Sequence, residues 1–219
     1  MGISKNDILL DVGANIGIYT LLNYRKAKLV VSIEPELYNF EVLKRNVDAN
    51  NISNVVLVNK AVGSKKGLVG MNTTGGSARV EGEGSIEMTT LDNIIDELNV
   101  KPTVMKMDIE GYEAEALRGF SNGLNYVRKI VMEVHSPSLL EEVKMILAKY
   151  GFSVKDISKP NYFIVMKNIL WHMRTFLSLE RKYGFFTTKA VIKHILMREP
   201  NPIASANEGS GQYIIMAVK

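Results

Sequence analysis

Asp11, Glu34, Asn59, Asp108 and His135 each close, or stand just past, a short apolar run of the chain. In a parallel α/β sheet, ligands settle in the crevice beyond the carboxyl ends of the strands. Polar residues at equivalent strand ends therefore converge on one site. The set divides by chemistry. Asp11 and Glu34 are acceptors suited to binding, whereas His135, together with Glu110, is of the type that removes a proton from a hydroxyl. Asp108 lies between the two groups in sequence and is assigned to binding.

The binding half centres on "DVGANIG", where Gly13 and Gly17 flank Asn15 directly after Asp11. Glycines at these positions let a ligand approach the backbone closely. Their spacing is G-x-x-x-G, neither the G-x-G-x-x-G that seats a pyrophosphate nor a phosphate loop ending in G-K-[ST]. An acid before the turn repels phosphate and suits an amino group. Glu34, read as a strand-end acid outside the core, has the geometry to accept two hydrogen bonds from a ribose diol. A nucleoside joined to an amino acid without phosphates satisfies both ends, and S-adenosylmethionine is such a molecule.

Each of the other residues also has a plainer reading. Asp108 reads as a helix cap, Glu110 as a first-turn acid favoured by the helix dipole, and His135 as a hydrogen-bonded strand-end histidine. No metal site is expected. The chain has no cysteine, its three histidines lie far apart, and Asp108 with Glu133 falls short of a ligand set.

The positioning elements follow from periodicity. "DILLDV", "KLVVSIEP", "NVVLVNKAVG", "TVMKMDIEG" and "RKIVMEVHS" read as five buried strands. "GIYTLLNYR", "ELYNFEVLKRNVDANN" and "SPSLLEEVKMILAKYG" read as helices, the last with Ser136 as cap, Pro137 at its first position and Gly151 as its stop. Residues 62 to 90 read as an antiparallel excursion, and "FSVKDIS" and "QYIIMAVK" as further strands. Alternation of this kind predicts helices on both faces of a mostly parallel sheet.

At 219 residues, 46% apolar and with formal charge +4, the chain has the size and composition of one globular α/β domain. No signal-peptide core and no run of about 18 apolar residues is present, so a cytoplasmic protein is expected. Nucleic acid is not favoured as a partner, because no basic block is long.

"DVGANIGIYT", "SIEPELYNFEVLKRNV", "VNKAVGSKKG", "TTLDNIIDE" and "VMKMDIEGYEAEALRG" together resemble the FkbM-type family of S-adenosylmethionine-dependent methyltransferases, from about residue 8 to about residue 136. The resemblance implies the class I methyltransferase fold, a three-layer α/β sandwich whose seven-stranded, mostly parallel sheet has an antiparallel last strand. It also implies O-methylation, on a small molecule, sugar or glycan. By it, Asp11, Gly13, Asn15 and Gly17 hold the methionine portion and Glu34 the ribose. Lys60 and Ala61 border the adenine, and Asp108 faces the cofactor. The chain divides into a core over 1–159, a helical insertion over 160–210 and a terminal strand over 211–219. The insertion carries Phe163, Met166, Leu170, Met173 and Leu177 on one helical face and Lys167, Arg174, Ser178 and Arg181 on another. Its plain reading is a helix packed on the domain with a solvated basic face; of the sharper readings, a cap over the acceptor site is favoured over a surface that meets membrane or polyanion. The rival readings are an RNA methyltransferase and a non-catalytic S-adenosylmethionine-binding module. The "DIEGY" run after the fourth strand argues against base-amine chemistry.

Overall fold

The computed structural model describes residues 2–72, 79–80, 82, 84–158 and 212–219. The segment 160–210, with its expected helical cap, lies outside them. The described chain is built from β1 (Ile8–Val12), α1 (Ile18–Asn23), β2 (Leu29–Ile33), α2 (Leu37–Ala49) and β3 (Val55–Val58). Five short strands follow: β4 (Ala61–Val62), β5 (Gly67–Val69), β6 (Met71–Asn72), β7 (Arg79–Val80) and β8 (Ile86–Thr89). The remainder is α3 (Leu91–Glu97), β9 (Val104–Met107), α4 (Glu113–Arg118), β10 (Lys129–Val134), α5 (Pro137–Lys149), β11 (Ser153–Asp156) and β12 (Tyr213–Val218).

Seven strands form the main sheet in the order β11-β12-β10-β9-β1-β2-β3. β3, β2, β1, β9 and β10 run parallel, and β12 is antiparallel to both β10 and β11. This is the expected Rossmann-like class I methyltransferase sheet. The order reverses between β1 and β9, because the chain leaves β3 at one edge and re-enters beside β1. That switch point opens a crevice at the strand ends.

Strand alternation sends side chains to two faces. Leu10, Val12, Val31, Ile33, Met105 and Met107 face a core shared with Leu91 and Ile94 of α3, Leu117 of α4 and Val143 and Leu147 of α5. Leu9, Val30 and Val104 pack on the opposite side, with Tyr19 against them. The same side carries a polar set, Asp11, Ser32 and Lys106, in neighbouring registers. α5 starts and stops as the sequence predicts: Ser136 Oγ accepts from the Leu139 amide, Pro137 opens the helix and Gly151 follows it at φ +80°.

One strand differs from expectation. "NVVLVNKAVG" is not continuous, because β3 ends at Val58 and β4 joins a separate three-stranded sheet, β4-β8-β5. Asn59 makes the break: its amide donates to the carbonyls of Glu34 (2.8 Å) and Pro35 (3.2 Å), which ties the chain down at the end of β2. The excursion is antiparallel at β5–β8 and β6–β7, as expected, but β4 pairs with β8 in parallel. No helix among the described residues is long and apolar enough to cross a membrane.

Candidate cofactor and acceptor site

The turn after β1 is braced from within. Gly13 and Ala14 donate their amides to the Ile33 carbonyl, and Gly17 donates to Ala14. The Asn15 amide donates to Glu34 Oε2 at 2.8 Å, and the Ile16 amide to the Asn15 side chain. Five successive amides are thus spent inside the protein, which leaves no cradle of free N–H groups for phosphate. Gly13 has φ +73°, and a Cβ there would stand 1.9 Å from the Asp108 carbonyl oxygen. Glycine alone allows the turn to lie against the end of β9. Asn15 itself sits at φ 52°, in the left-handed region that asparagine tolerates.

Asp11 lies within β1, and its carboxylate is fully buried. Its Oδ2 accepts from Thr20 at 2.6 Å, and Ser32 then donates to Thr20 at 2.7 Å. Lys106 Nζ stands 3.5 Å from Oδ1 and donates to the Gly13 carbonyl at 2.7 Å. Asp11 thus stands beneath the turn, with its carboxylate closed to solvent. Lys106 was missed by sequence reasoning. Its signal was a lone lysine in the middle of a buried strand.

Glu34 follows β2 and is only 4% exposed. Oε2 accepts from Asn15 and Oε1 from the Glu36 amide at 3.0 Å. The expectation that it stands outside the core is therefore corrected, since it is a buried brace that joins the β1 turn to the start of α2. Burial raises its pKa, against the lowering effect of the Glu36 and Asn15 amides and the Lys106 charge. Each carboxylate oxygen holds one backbone donor and keeps acceptor capacity for another. Lys60 pairs with Glu87 at 2.8 Å, which raises its pKa, and Ala61 is buried against Val69 and Met88.

The second cluster is gathered at the ends of β9 and β10. Asp108 directly follows β9 and His135 directly follows β10. His135 Nδ1 lies 2.8 Å from Oε1 of Glu113, a fully buried acid in the first turn of α4. Glu113 Oε1 also accepts from the Gly111 amide, which fixes the carboxylate. The opposite ring nitrogen, Nε2, points at Glu110 Oε2 (3.3 Å), Glu133 Oε1 (3.8 Å) and Asp108 Oδ1 (3.9 Å). Burial lowers the His135 pKa, but the hydrogen bond and charge of Glu113, with Glu110 and Asp108, outweigh it and the net shift is upward. Glu133 is raised by burial and then by the Asp108 charge. Glu110 sits at φ 55° and Gly111 at φ 102°. A left-handed glutamate stores backbone strain, and such strain gathers at functional sites. Glu113 was also missed by sequence reasoning: "DIEGYE" holds it in plain view, but nothing local says that it reaches the end of β10.

A cleft of about 520 Å³ opens beside this cluster, lined by Glu110, Gly111, His135, Ser136, Ser138, Leu139, Glu141, Glu142 and Met145. Its size suits a small molecule or a sugar unit.

Known proteins share the sequence pattern and the fold. Hexuronic acid methyltransferase AglP of Haloferax volcanii is 29% identical over 170 residues, which cover 74% of this chain and 70% of the relative. Methyltransferase FkbM from Methylobacillus flagellatus KT superposes with a TM-score of 0.55 at 22% identity, covering 71% of this chain and 41% of that one. This chain thus spans about two fifths of that protein. SMU.1697c from Streptococcus mutans, solved in complex with SAH, gives a TM-score of 0.54 at 12% identity over 99% of this chain and 90% of its own. Residues 11–154, more than half of the chain, match the Methyltransferase FkbM domain, and the chain belongs to the FkbM family of S-adenosylmethionine-dependent methyltransferases.

Proposed function

We propose that the protein methylates a hydroxyl of a sugar, glycan or related small polyol, with the acceptor in the cleft beside His135. The observation that carries this reading is the meeting of Asp108, Glu110 and His135 at the ends of β9 and β10, the last two also lining a cleft with hydroxyls and carboxylates. AglP, named for action on hexuronic acid, supports a sugar acceptor.

S-adenosylmethionine supplies a methyl group on a sulfonium, an electrophile that needs no activation by the protein. The chain's tasks are to bind, to orient and to accept a proton. Gly13, Asn15 and Gly17 shape the turn that holds the methionine portion, the two glycines letting it pack close on Asp108 and Leu43, with Asp11 as its support. Glu34 accepts from the ribose, Lys60 and Ala61 stand near the base, and Asp108 faces the cofactor. The acceptor hydroxyl loses its proton on the rim where Glu110 Oε2 and His135 Nε2 face each other.

The test is transfer of tritiated methyl from S-adenosylmethionine to separate pools of oligosaccharides, uronic acid glycosides, small alcohols and RNA. Label is expected in the sugar or alcohol pools, and His135→Ala should lower it about 10²–10⁴-fold with cofactor affinity kept. Label confined to RNA would overturn the acceptor assignment.

A further inference from the structure

The contact between His135 and its carboxylates poses a charge problem. With Nδ1–H donated to Glu113, the neutral ring turns the lone pair of Nε2 toward Glu110, Glu133 and Asp108, at 3.3 to 3.9 Å. Carboxylates are acceptors too. A proton on Nε2, or a metal ion held between these groups, fits the arrangement. Lys106, the nearby cation on β9, is already held by the Gly13 carbonyl and Asp11.

We propose that Asp108, Glu110 and His135 form a binding site for a divalent first-row metal ion, and that this ion holds the acceptor oxygen. One donor atom from each residue lies within 4.8 Å of the others. Donors about 2.1 Å from one ion stand roughly 3–4 Å apart, so the cluster needs only slight tightening. Glu133 Oε1 lies 3.8 Å from His135 Nε2, at the edge of the cluster. The His135 side chain is 95% buried and aimed into the cluster. Behind it, Glu113 receives Nδ1–H, the arrangement that orients metal-bound histidines. Two or three carboxylates with one imidazole favour Mn²⁺ over Mg²⁺ or Ca²⁺, which prefer oxygen alone. Open positions on the ion would face the cleft and take a hydroxyl, or a vicinal diol, from the acceptor. That role rests on the proposed function and takes the place of direct proton acceptance by His135 Nε2 and Glu110, which the ion would occupy, whereas ion binding does not rest on it.

The experiment is titration of the metal-stripped, full-length protein with MnCl₂, followed by calorimetry and by loss of the free-ion paramagnetic signal. One ion per chain is expected. Asp108→Asn and His135→Ala, confirmed as folded by circular dichroism, should weaken binding more than 100-fold. Glu113→Gln, which touches no ion, should weaken it about 10–100-fold. Absence of stoichiometric binding, or binding indifferent to all three substitutions, would show that a proton fills the gap and would overturn the proposal. Methyl transfer that continues unchanged in EDTA would overturn the ion's role while leaving the function intact. Ion binding without methylation of any hydroxyl would sink the function and leave the site.

Discussion

Replacing Glu34 with alanine separates the bracing that the structure gives this side chain from the ribose binding proposed for it. The carboxylate accepts from the amides of Asn15 and Glu36 in a buried setting, so Glu34→Ala leaves two donors without their partner. Hydrogen bonds to a charged group contribute about 1.5–3 kcal/mol each, offset here because the buried charge and its desolvation disappear with them. A net loss of about 1–3 kcal/mol of stability is expected, read as a lower melting temperature without ligand. Loss of the ribose acceptor should cost a further 1.5–3 kcal/mol or so of cofactor affinity, roughly 10–150-fold in Kd. Calorimetry with S-adenosylhomocysteine measures the second effect. The pH dependence adds a sign. Burial raises the pKa above its ordinary 4.5, so ionisation of Glu34 costs the ligand-free fold stability as pH rises through the window above 4.5. Ribose binding uses the ionised form, so affinity should fall as pH drops through that same window, and the alanine variant should lack this slope. A variant that melts and binds like wild type would refute both the bracing and the ribose assignment.

Three further perturbations test separate parts of the structure. Asp7 accepts from Ser4, Thr103 and Arg128 at the foot of β1, and although burial raises its pKa, these bonds hold it well below the ordinary 3.8. Its contribution is therefore complete above pH 3.8 and drains away below it, and Asp7→Ala should cost about 2–4 kcal/mol in urea melts at pH 7 with cofactor affinity unchanged. Gly13→Ala should cost about 3 kcal/mol or more, since its Cβ meets the Asp108 carbonyl at 1.9 Å, whereas Gly111→Ala meets nothing within 4 Å and should cost only the 1–2 kcal/mol or so of a left-handed backbone. Equal melting temperatures for the two would discredit the close packing of turn on strand. Glu110→Gly relieves the backbone at φ 55° and should raise stability by about 0.5–1 kcal/mol while lowering turnover; a drop in both would mean that Glu110 holds the fold rather than the acceptor.

The sheet was legible in the sequence because its inner strands are continuous apolar runs, and a run such as "KLVVSI" has few other places to go. The limits of α5 were legible for a local reason as well, since Ser136, Pro137 and Gly151 act on their own backbone. What escaped was set by contacts distant in sequence. Asn59 breaks "NVVLVNKAVG" by bonding to carbonyls 24 and 25 residues away. Glu34 looked like a strand-end acid, and its burial depends on amides of a turn 19 residues earlier. Lys106 reaches across 93 residues to Gly13, and Glu113 reaches 22 residues to His135. No periodicity encodes such pairs, because each depends on which strands become neighbours.

Those pairs also explain why two buried carboxylates keep one oxygen apiece without a hydrogen bond. Among the described residues, Asp11 Oδ1 and Glu113 Oε2 are buried side-chain atoms of this kind. Such atoms cost stability, typically about 1–3 kcal/mol, and tend to persist where they serve a site. Asp11 stands under the turn proposed to hold the cofactor, and Glu113 stands behind His135 at the proposed acceptor wall. Each acid spends its other oxygen on fixing a neighbour: Asp11 on Thr20, Glu113 on both His135 and the Gly111 amide. The two acids brace opposite walls of one crevice, and β9 joins them, since Lys106 steadies the first wall and Asp108 begins the second. Under the proposed function, a rigid strand between two braced walls would set the distance between methyl donor and acceptor oxygen. Alignment to a fraction of an ångström is what a displacement at carbon requires of a protein that contributes no electrophile of its own.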